Sequence, residues 1–476
     1  MEKLTEQKLI HLFQERFSEE VTFKEVLPPS GSYREYLRLK SMHFGAIGTW
    51  NQDEKENNAF VSFSCHLRAN GVNVPEIYEY DRPARIYLQE DLGDVTLFSF
   101  LTEIRAQKGF SSEIKHAYRK VVQLLPIIQV TAGKGIDFNF CYPRKAFDRQ
   151  SMMWDLNYFK YYFLKLAKIS FDEQVLEDDY SAFCDYLLKA ESDFFMMRDF
   201  QSRNILLRNE EPWFIDYQGG RRGALQYDLA SLLYDAKADI PQEVREELIE
   251  LYLDHLMEVH PVDRKVFKQY FYGYVLIRIM QAMGAYGFRG FYEKKAHFLK
   301  SIPFALDNLN VVMKKIDLPI QLPELFHVLN SLSESEILKE IVTKETGLTV
   351  SITSFSFKKG IPSDLSGNGG GFVFDCRALP NPGRLVEYQH LTGKDREVIT
   401  YLESYPEVEA FLSPVFSLVD QSVKGYLSRK FSHLSVQFGC TGGQHRSVYA
   451  AERLANHLRN NFPVKVVLQH REQGEG

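Results

Sequence analysis

Three polar residues near the middle of the chain have the types and spacing of a phosphoryl-transfer site. Asp199 and Asn204 lie five positions apart, and Asp216 follows two short apolar runs that predict a β-hairpin. An aspartate can accept the proton of an attacking hydroxyl, and amide and carboxylate oxygens are good ligands for Mg²⁺. The pattern predicts a kinase that uses ATP, with Asp199 as the base and with Asn204 and Asp216 as magnesium ligands.

A purely structural role for these residues is the alternative. Asp and Asn side chains in loops usually cap helices or close turns, so an Asp followed five positions later by an Asn is weak evidence by itself. The second Asp after an apolar strand, and the strand-rich segment ahead of the site, favour the catalytic interpretation.

The segment ahead of the site predicts a small lobe made mostly of β-sheet. Its predicted elements are a helix over 1–20, strands within 21–50, a helix over 58–69, and strands over 74–78 and 86–90. Leu4, Leu9 and Phe13 belong to the apolar face of the first helix. Residues 97–310 are mainly helical apart from the hairpin, which is the order of a bilobal kinase with ATP between its lobes.

The composition describes a globular protein of two or more domains. The 476 residues carry a formal net charge of −6, which gives no overall attraction for nucleic acid or anionic membrane. The five cysteines are scattered and form no C-x-x-C pair, so neither a disulfide framework nor a zinc site is predicted. Without a signal peptide or a long apolar stretch, we expect a cytoplasmic protein with no membrane contact.

The last third of the chain changes to alternating strands and helices, which predicts a compact α/β domain over 347–476. Residues 313–346 are charged and helix-prone and predict a connector with one helix. The fold class expected from the whole chain is an α+β bilobal protein-kinase-like domain, residues 1–312, followed by a smaller α/β domain.

A glycine-containing loop in this second domain has the form of an anion site. It follows an apolar strand and opens a helix, so backbone N–H groups and the helix dipole would favour an anion there. Its arginine could clamp a phosphate with two hydrogen bonds. The loop consists of Cys440, Thr441, Gly442, Gly443, Gln444, His445, Arg446 and Ser447.

Two other interpretations of the loop stay open. The spacing C-x5-R-S is that of cysteine phosphatases, in which Cys440 would be the nucleophile and Asp375 the acid. Alternatively, Gly442 and Gly443 only form a tight turn, and Cys440 is a small buried residue. The strand–loop–helix context favours anion binding.

The first domain resembles the aminoglycoside phosphotransferase family. The similar segments are 32–38, 73–77, 90–94, 198–204, 215–218, 227–233 and 278–284. They are most similar to the branch of anomeric amino-sugar kinases that phosphorylate N-acetylmuramate or N-acetylglucosamine at C1. The resemblance covers roughly residues 1–312 and implies ATP, Mg²⁺ and a small sugar substrate.

The candidate nucleotide-binding residues are Ser30, Gly31, Ser32, Arg34, Glu90 and Asp91. The first three form a turn between strands whose N–H groups could approach the phosphates, and the last two lie where a hinge would hold adenine by backbone bonds. Asp228, near the start of a later helix, is expected to support the catalytic loop.

Three positions depart from the family pattern. Met197 stands where the catalytic loop usually opens with His, and Gly219 stands where an Asp usually follows Gln218. The strand at 42–50 has no lysine for the phosphates. The cations that remain for that role are Arg34, Arg38 and Lys40, each first expected at the surface.

The second domain resembles the C-terminal domain of the RNase adapter protein RapZ. The similar segments are 356–362, 374–377, 379–382, 391–393, 439–447 and 470–471. The resemblance covers about residues 347–472 and implies binding of glucosamine-6-phosphate and, in some bacteria, of a small regulatory RNA. By position, the implied phosphosugar ligands are Lys358, Arg377, the loop residues 440–447, and His470 or Arg471. Gly383 departs from the family's His or Tyr, and the P-loop motif of RapZ is absent from the sequence.

These observations predict a bacterial sugar kinase fused to a domain that senses a sugar phosphate. The alternative is a regulatory or adapter protein with a weak or inactive kinase lobe, which Met197 and the missing lysine motivate. RNA binding has weak support, because the chain is acidic overall. The basic residues that could line one face are Lys424, Arg429, Lys430, Arg453, Arg459 and Lys465. The sequence does not decide whether the chain forms a homo-oligomer.

Overall fold

A computed structural model describes residues 3–28, 34–335, 338, 348–362, 371–429, 431 and 433–473. The predicted nucleotide-binding residues Ser30, Gly31 and Ser32, and the basic residue Lys430, lie outside these ranges. The chain divides into two compact units, Met1–Gly287 with Phe304–Ser333, and Phe288–Pro303 with Glu334–Gly476. Residues 313–333, which the sequence assigned to the connector, therefore group with the first unit.

The first unit opens with a five-stranded antiparallel sheet in the order β1-β2-β3-β5-β4. Its strands are β1 Phe23–Val26, β2 Glu35–Lys40, β3 Gly45–Trp50, β4 Ile77–Asp81 and β5 Ile86–Glu90. Every predicted strand of this lobe is present. Strand β4 begins three residues later than the sequence predicted, because Pro75 has no N–H to donate to a neighbouring strand.

Helix α1, Lys3–Phe17, covers one face of this sheet through Leu9 and Phe13. Gly48 in β3 permits the close approach, since a Cβ there would stand 2.9 Å from Leu9 Cδ2. Leu4, expected on the same apolar face, is 63% exposed, so the buried face begins one turn further along the helix.

Helix α2, Glu54–Ala69, begins four residues earlier than predicted. Asp53 caps it, because its carboxylate accepts hydrogen bonds from the backbone N–H groups of Lys55 and Glu56. The sequence interpretation started this helix at Asn58 and left Glu56 outside it.

The larger lobe is helical and contains two short antiparallel pairs of strands. One pair joins β6, Phe194–Met196, to β9, Arg221–Gly223, and the other joins β7, Ile205–Arg208, to β8, Glu211–Phe214. The helices along this part of the chain are α3 Leu97–Lys108, α4 Ser112–Pro126, α5 Arg149–Phe159, α6 Glu173–Leu187, α7 Gln226–Leu233, α8 Gln242–Val259, α9 Arg264–Tyr286, α10 Ala296–Leu299, α11 Ile302–Lys315 and α12 Pro323–Ser331. Of these, α10 lies within Phe288–Pro303, the segment that groups with the second unit. The predicted hairpin within a helical lobe is confirmed.

Helix α12 is fixed to α6 by two reciprocal hydrogen bonds. The Asp179 carboxylate accepts from the Leu325 N–H at 2.8 Å, and the Glu324 carboxylate accepts from the Asp172 N–H at 2.7 Å. Each helix thus has an N-terminal N–H group satisfied by the other, which explains why this stretch belongs to the first unit.

The second unit is built on a four-stranded parallel sheet in the order β11-β12-β10-β13. Its elements are β10 Thr349–Ser356, β11 Gly371–Asp375, α13 Arg396–Glu403, α14 Pro406–Ser428, β12 His433–Cys440, α15 Arg446–Asn461 and β13 Lys465–His470. Val350, Ile352, Val436 and Phe438 form its core with the apolar face of α15. The expected fold class, a bilobal kinase-like domain followed by a smaller α/β domain, is confirmed.

Within the described ranges we find no helix with the length and hydropathy of a membrane span.

Candidate functional site

The β7–β8 hairpin brings the predicted phosphoryl-transfer residues together. It turns at Asn209 and Glu210, whose φ angles of 52° and 62° suit a two-residue type I′ turn. Asn204 precedes the first strand and Asp216 follows the second. The Asn204 Nδ2 donates to Asp216 Oδ2 at 3.0 Å and to the backbone oxygen of Asp199 at 2.9 Å.

Asp216 keeps the access that a metal ligand needs. Its side chain is 38% exposed, and its Oδ1 accepts a hydrogen bond from Gln218 Nε2 at 2.6 Å. Partial desolvation of the carboxylate by the surrounding protein, together with the nearby Asp199 carboxylate, raises the pKa of Asp216 to about 6. The Asp216 carboxylate and the neighbouring Asn204 side chain carry oxygen atoms of the kind that a divalent cation prefers.

Arg34 is a buried cation beside Asp216. Its Nη2 donates to Glu56 Oε2 at 3.2 Å, and its Nη1 lies 3.8 Å from Asp216 Oδ1. The expectation that Arg34 lies at the surface was wrong, because the start of β2 faces α2. In protein kinases a lysine on the third strand pairs with a glutamate of the following helix. Here Arg34, immediately before β2, pairs with Glu56 of α2.

Arg38, also expected at the surface, is buried and holds the segment that follows β5. Its Nε and Nη2 donate to the two oxygens of Asp91 at 2.8 and 3.1 Å. Its Nη1 and Nη2 donate to the two oxygens of Asp94 at 3.0 and 2.7 Å. Lys40, the third candidate cation, is exposed as expected.

The Glu90 side chain serves the same segment. It pairs with Arg68 at 3.2 Å and with Arg208 at 2.5 Å, while its N–H donates to the Glu76 carbonyl at 2.9 Å. The side chains of Glu90 and Asp91 are therefore engaged in ion pairs.

Asp228 supports the catalytic loop from α7. Its carboxylate accepts from the N–H of Met197 at 2.8 Å and from the N–H of Arg198 at 3.0 Å. Burial raises the pKa of Asp228 to about 7. Because these bonds involve the backbone, the support does not depend on the side chain at position 197, where Met197 is buried.

Sequence reasoning missed Glu56 and Asp155 and gave Arg198 no role of its own. Glu56 could have been found from the capping Asp53 three residues earlier. Asp155 is the one charged residue in the mostly apolar run 151–159. This pattern indicates a buried acid, which needs a partner of opposite charge.

The glycine loop of the second unit lies between β12 and α15. Gly443 has a φ of +69°, and its N–H donates to Cys440 Sγ at 3.2 Å. The Ser447 hydroxyl lies 3.1 Å from the same sulfur. A Cβ at Gly443 would stand 2.4 Å from Glu472 Cγ, so only glycine fits, while Thr441 and Gly442 are exposed.

Arg446 is buried and anchors the turn that follows β11. Its Nη1 donates to the carbonyls of Arg377 at 2.8 Å and Leu379 at 3.1 Å. Its Nη2 donates to Thr441 Oγ1 at 3.4 Å, and its Nε has no hydrogen-bond partner among the described residues. Asp375 pairs with Arg377, and this hydrogen bonding lowers the pKa of Asp375, which makes it a poor proton donor. Both contacts disfavour the phosphatase interpretation.

The predicted phosphosugar ligands lie at or near the carboxyl ends of the parallel strands, the edge where α/β sheets bind ligands. Lys358 and Arg377 are exposed there. His470 is instead bonded to Ser354 at 2.8 Å and Glu452 at 3.1 Å, and Arg471 donates to the Gly360 carbonyl at 3.0 Å.

The remaining loop side chains are also engaged. His445 Nε2 lies 2.9 Å from the Tyr388 carbonyl, and Gln444 Nε2 donates to the Glu472 carbonyl at 3.3 Å. Lys358, Thr441 and Gly442 are therefore the members of the predicted set that are open to a ligand, while Arg377 is exposed but paired with Asp375. Arg453, from the predicted basic face, is paired with Glu409 and Glu403.

Two family models match separate parts of the chain. Residues 49–262 match the phosphotransferase enzyme family, and residues 348–474 match the RapZ C-terminal domain. The chain therefore joins a phosphotransferase-like domain with a kinase-like fold to a domain similar to the RapZ C-terminal domain.

Two curated relatives each match about a quarter of the chain. A nucleotide-binding protein of Staphylococcus aureus (strain JH9) is 43% identical over 124 residues, which are 26% of this chain and 39% of the relative. A protein of the same description from strain N315 gives the same values. The match thus spans well under half the length of these relatives.

Solved structures with a similar fold include two choline kinases. The enzyme LicA from Streptococcus pneumoniae is 15% identical, with 65% of this chain and 100% of that chain covered and a TM-score of 0.42. The choline kinase of Cryptosporidium parvum Iowa II is 12% identical, with 68% and 99% covered and a TM-score of 0.46. Similarity at this level does not extend to the substrate.

Proposed function

We propose that the first domain is an ATP-dependent kinase for a small amino sugar and that the second domain binds a sugar phosphate. The observation that carries the kinase proposal is the Asn204 amide, which joins the Asp199 backbone to the Asp216 carboxylate. The buried Arg34–Glu56 pair beside Asp216 supports it.

In the proposed reaction, Asp199 accepts the proton of a sugar hydroxyl while the hydroxyl oxygen attacks the γ-phosphorus of ATP. A new P–O bond forms to the sugar, the bond to the β-phosphate oxygen breaks, and ADP leaves. Asn204 and Asp216 would hold Mg²⁺, which neutralises phosphate charge when bound. Arg34, fixed by Glu56, would contact the phosphates of ATP.

The proposed acceptor is an amino sugar of the N-acetylmuramate or N-acetylglucosamine type, phosphorylated at the anomeric hydroxyl. The support for this choice is the resemblance of segments 32–38, 90–94 and 198–204 to anomeric amino-sugar kinases.

The test is to incubate the full chain with ATP, Mg²⁺ and a panel of amino sugars and to follow ADP. Phosphorus NMR of the product distinguishes an anomeric phosphate from one on another hydroxyl. We expect turnover with an N-acetylated sugar, loss of turnover when EDTA removes Mg²⁺, and an anomeric product. Turnover that EDTA leaves unchanged would contradict the assignment of Asn204 and Asp216.

A regulatory protein without kinase turnover is the second candidate. Met197 and the absence of a lysine from β3 favour it, although Asp228 and Arg34 supply the corresponding contacts. Calorimetry discriminates between the two: no heat with ATP and Mg²⁺, together with tight sugar-phosphate binding, would support the regulator.

For the second domain, we propose that Thr441 and Gly442 present backbone N–H groups to a phosphate, with Lys358 and Arg377 at the rim.

Glucosamine-6-phosphate should give binding heat with the full chain, and glucosamine should not. Lys358→Ala should weaken this binding roughly 10-fold, as loss of one charge-assisted contact does. The matched control is Lys465→Ala, an exposed lysine at the opposite end of β13. Equal affinities of the two variants for glucosamine-6-phosphate would contradict the proposed site. RNA binding would be measured in a separate titration.

A further inference from the structure

We infer that Arg198 is a positioning residue, which locks the catalytic loop to helix α5 through Asp155. The inference rests on the proposed kinase function, and it concerns how the loop that carries Asp199 is held. Arg198 immediately precedes Asp199, while Asp155 lies in the middle of α5, 43 positions earlier.

The backbone at Arg198 is in a conformation that side chains other than glycine rarely adopt. Its φ is +77°, within the left-handed region, where a Cβ comes too close to the following carbonyl oxygen. Such strain persists only where the surroundings impose it, and it concentrates at functional sites. Something must therefore hold Arg198 in place.

The Arg198 side chain supplies that hold. Its Nη2 donates to Asp155 Oδ1 at 2.6 Å, and both side chains are mostly buried. The guanidinium carbon also lies 4.8 Å from the centroid of the Phe147 ring and 5.1 Å from that of Tyr227. These rings belong to the loop before α5 and to α7, so three separate elements fix one side chain.

The pair is not built for stability alone. The Arg198 Nη1 and the Asp155 Oδ2 are buried and have no hydrogen-bond partner among the described residues. Leaving buried polar atoms unpaired costs free energy, and buried ion pairs are often no more stabilising than apolar side chains of similar size. Retention of the pair is explained if its geometry sets the position of Asp199, which follows Arg198 directly.

Asp228 completes the arrangement from the other side. It accepts hydrogen bonds from the N–H groups of Met197 and Arg198, so the backbone is held by α7 and the side chain by α5. Loss of the side-chain anchor should leave the fold intact but free the loop backbone to move, which displaces the Asp199 carboxylate.

The test uses the full chain and the variants Asp155→Asn, Arg198→Gly and the double variant. Glycine adopts a φ of +77° without strain, so Arg198→Gly removes the anchor but not the backbone conformation. The control is Asp148→Asn, which breaks the Arg144–Asp148 pair on the same helix yet keeps a residue that can cap it. The readouts are the melting curve, kcat and KM with ATP and N-acetylglucosamine, and amide hydrogen exchange over 197–204.

We expect both single variants to lower kcat roughly 10- to 100-fold, as a misplacement near 1 Å can. KM for ATP should change by less than about twofold, and the double variant should be no slower than the worse single variant, because both remove one interaction. Exchange over 197–204 should rise in these variants and not in the control. This exchange result tests the inference even if the wild-type chain turns over no sugar, which would count against the proposed function only. Folded variants with wild-type kcat, or with unchanged exchange over 197–204, would overturn the inference.

Discussion

The buried pair between Arg34 and Glu56 leads to the sharpest prediction about nucleotide binding. Replacing Arg34 by Met removes the cation that lies 3.8 Å from Asp216 Oδ1 and 3.2 Å from Glu56 Oε2. If Arg34 contacts the phosphates of ATP, the change should weaken ATP binding and leave the apparent affinity for the sugar unaltered.

The magnitude follows from the number and kind of contacts. A hydrogen bond to a charged group contributes about 1.5–3 kcal/mol, and each 1.4 kcal/mol is about tenfold in affinity. One lost arginine–phosphate contact should therefore raise the dissociation constant of ATP roughly 10- to 150-fold. Glu56→Gln should have a smaller effect in the same direction, because it loosens Arg34 without removing it. Arg34→Lys should restore part of the loss, since it keeps the charge but not the planar fork.

The assay is calorimetry of the full chain with ATP and Mg²⁺, supported by KM measurements. The matched control is Arg82→Met, which removes an exposed partner of Glu54 in the first turn of the same helix. A surface pair of this kind contributes at most about 1 kcal/mol to stability and should not affect ATP. Equal ATP affinity in Arg34→Met and Arg82→Met would refute the role assigned to Arg34.

Three further predictions concern the hinge, the loop support and the second domain. Arg38→Met frees Asp91 and Asp94 and should loosen the segment after β5, which we expect to hold the adenine of ATP through main-chain groups. The KM for ATP should therefore rise about 10-fold with kcat unchanged, and an unchanged KM would contradict this. Burial raises the pKa of Asp228 to about 7, so the stability linked to this group is full below its unfolded pKa and is lost as the pH rises through 7. In urea titrations between pH 5 and pH 7.5, the wild-type free energy of unfolding should therefore fall by about 2.5 kcal/mol more than that of Asp228→Asn, and parallel pH profiles would count against it. Gly443→Ala should reduce glucosamine-6-phosphate binding at least about 10-fold, because its Cβ would stand 2.4 Å from Glu472 Cγ. The control Gly425→Ala lies in helix α14, outside the proposed site, and its Cβ would meet nothing within 4 Å, so it should keep the wild-type affinity; calorimetry of the two variants decides.

Much of this architecture could be predicted from the sequence, because local patterns determine it. The alternation in β2, β3 and β5, the strand-to-helix glycine loop and the β7–β8 hairpin all carry signals that act over a few residues. The hairpin is the clearest example, since the spacing from Asn204 to Asp216 leaves room for two four-residue strands and a two-residue turn.

What could not be predicted depends on contacts between distant segments. Arg34 and Arg38 look like surface residues, because their partners Glu56 and Asp91 lie 22 and 53 positions away. The same holds for Arg198 and Asp155, which are 43 positions apart. Arg446 was expected to clamp a phosphate, but whether its guanidinium faces a ligand or the carbonyls of Arg377 and Leu379 depends on how the turn after β11 packs.

The central claim is that Asp199 serves as the base of a sugar kinase. The most direct measurement compares single-turnover phosphate transfer from ATP to the amino sugar in wild type, Asp199→Asn and the control Asp193→Asn, whose exposed carboxylate pairs with Arg222. Loss of a general base should slow transfer roughly 10²- to 10⁴-fold in Asp199→Asn, with ATP still bound, while Asp193→Asn behaves as wild type. Transfer at the wild-type rate in Asp199→Asn would contradict the account.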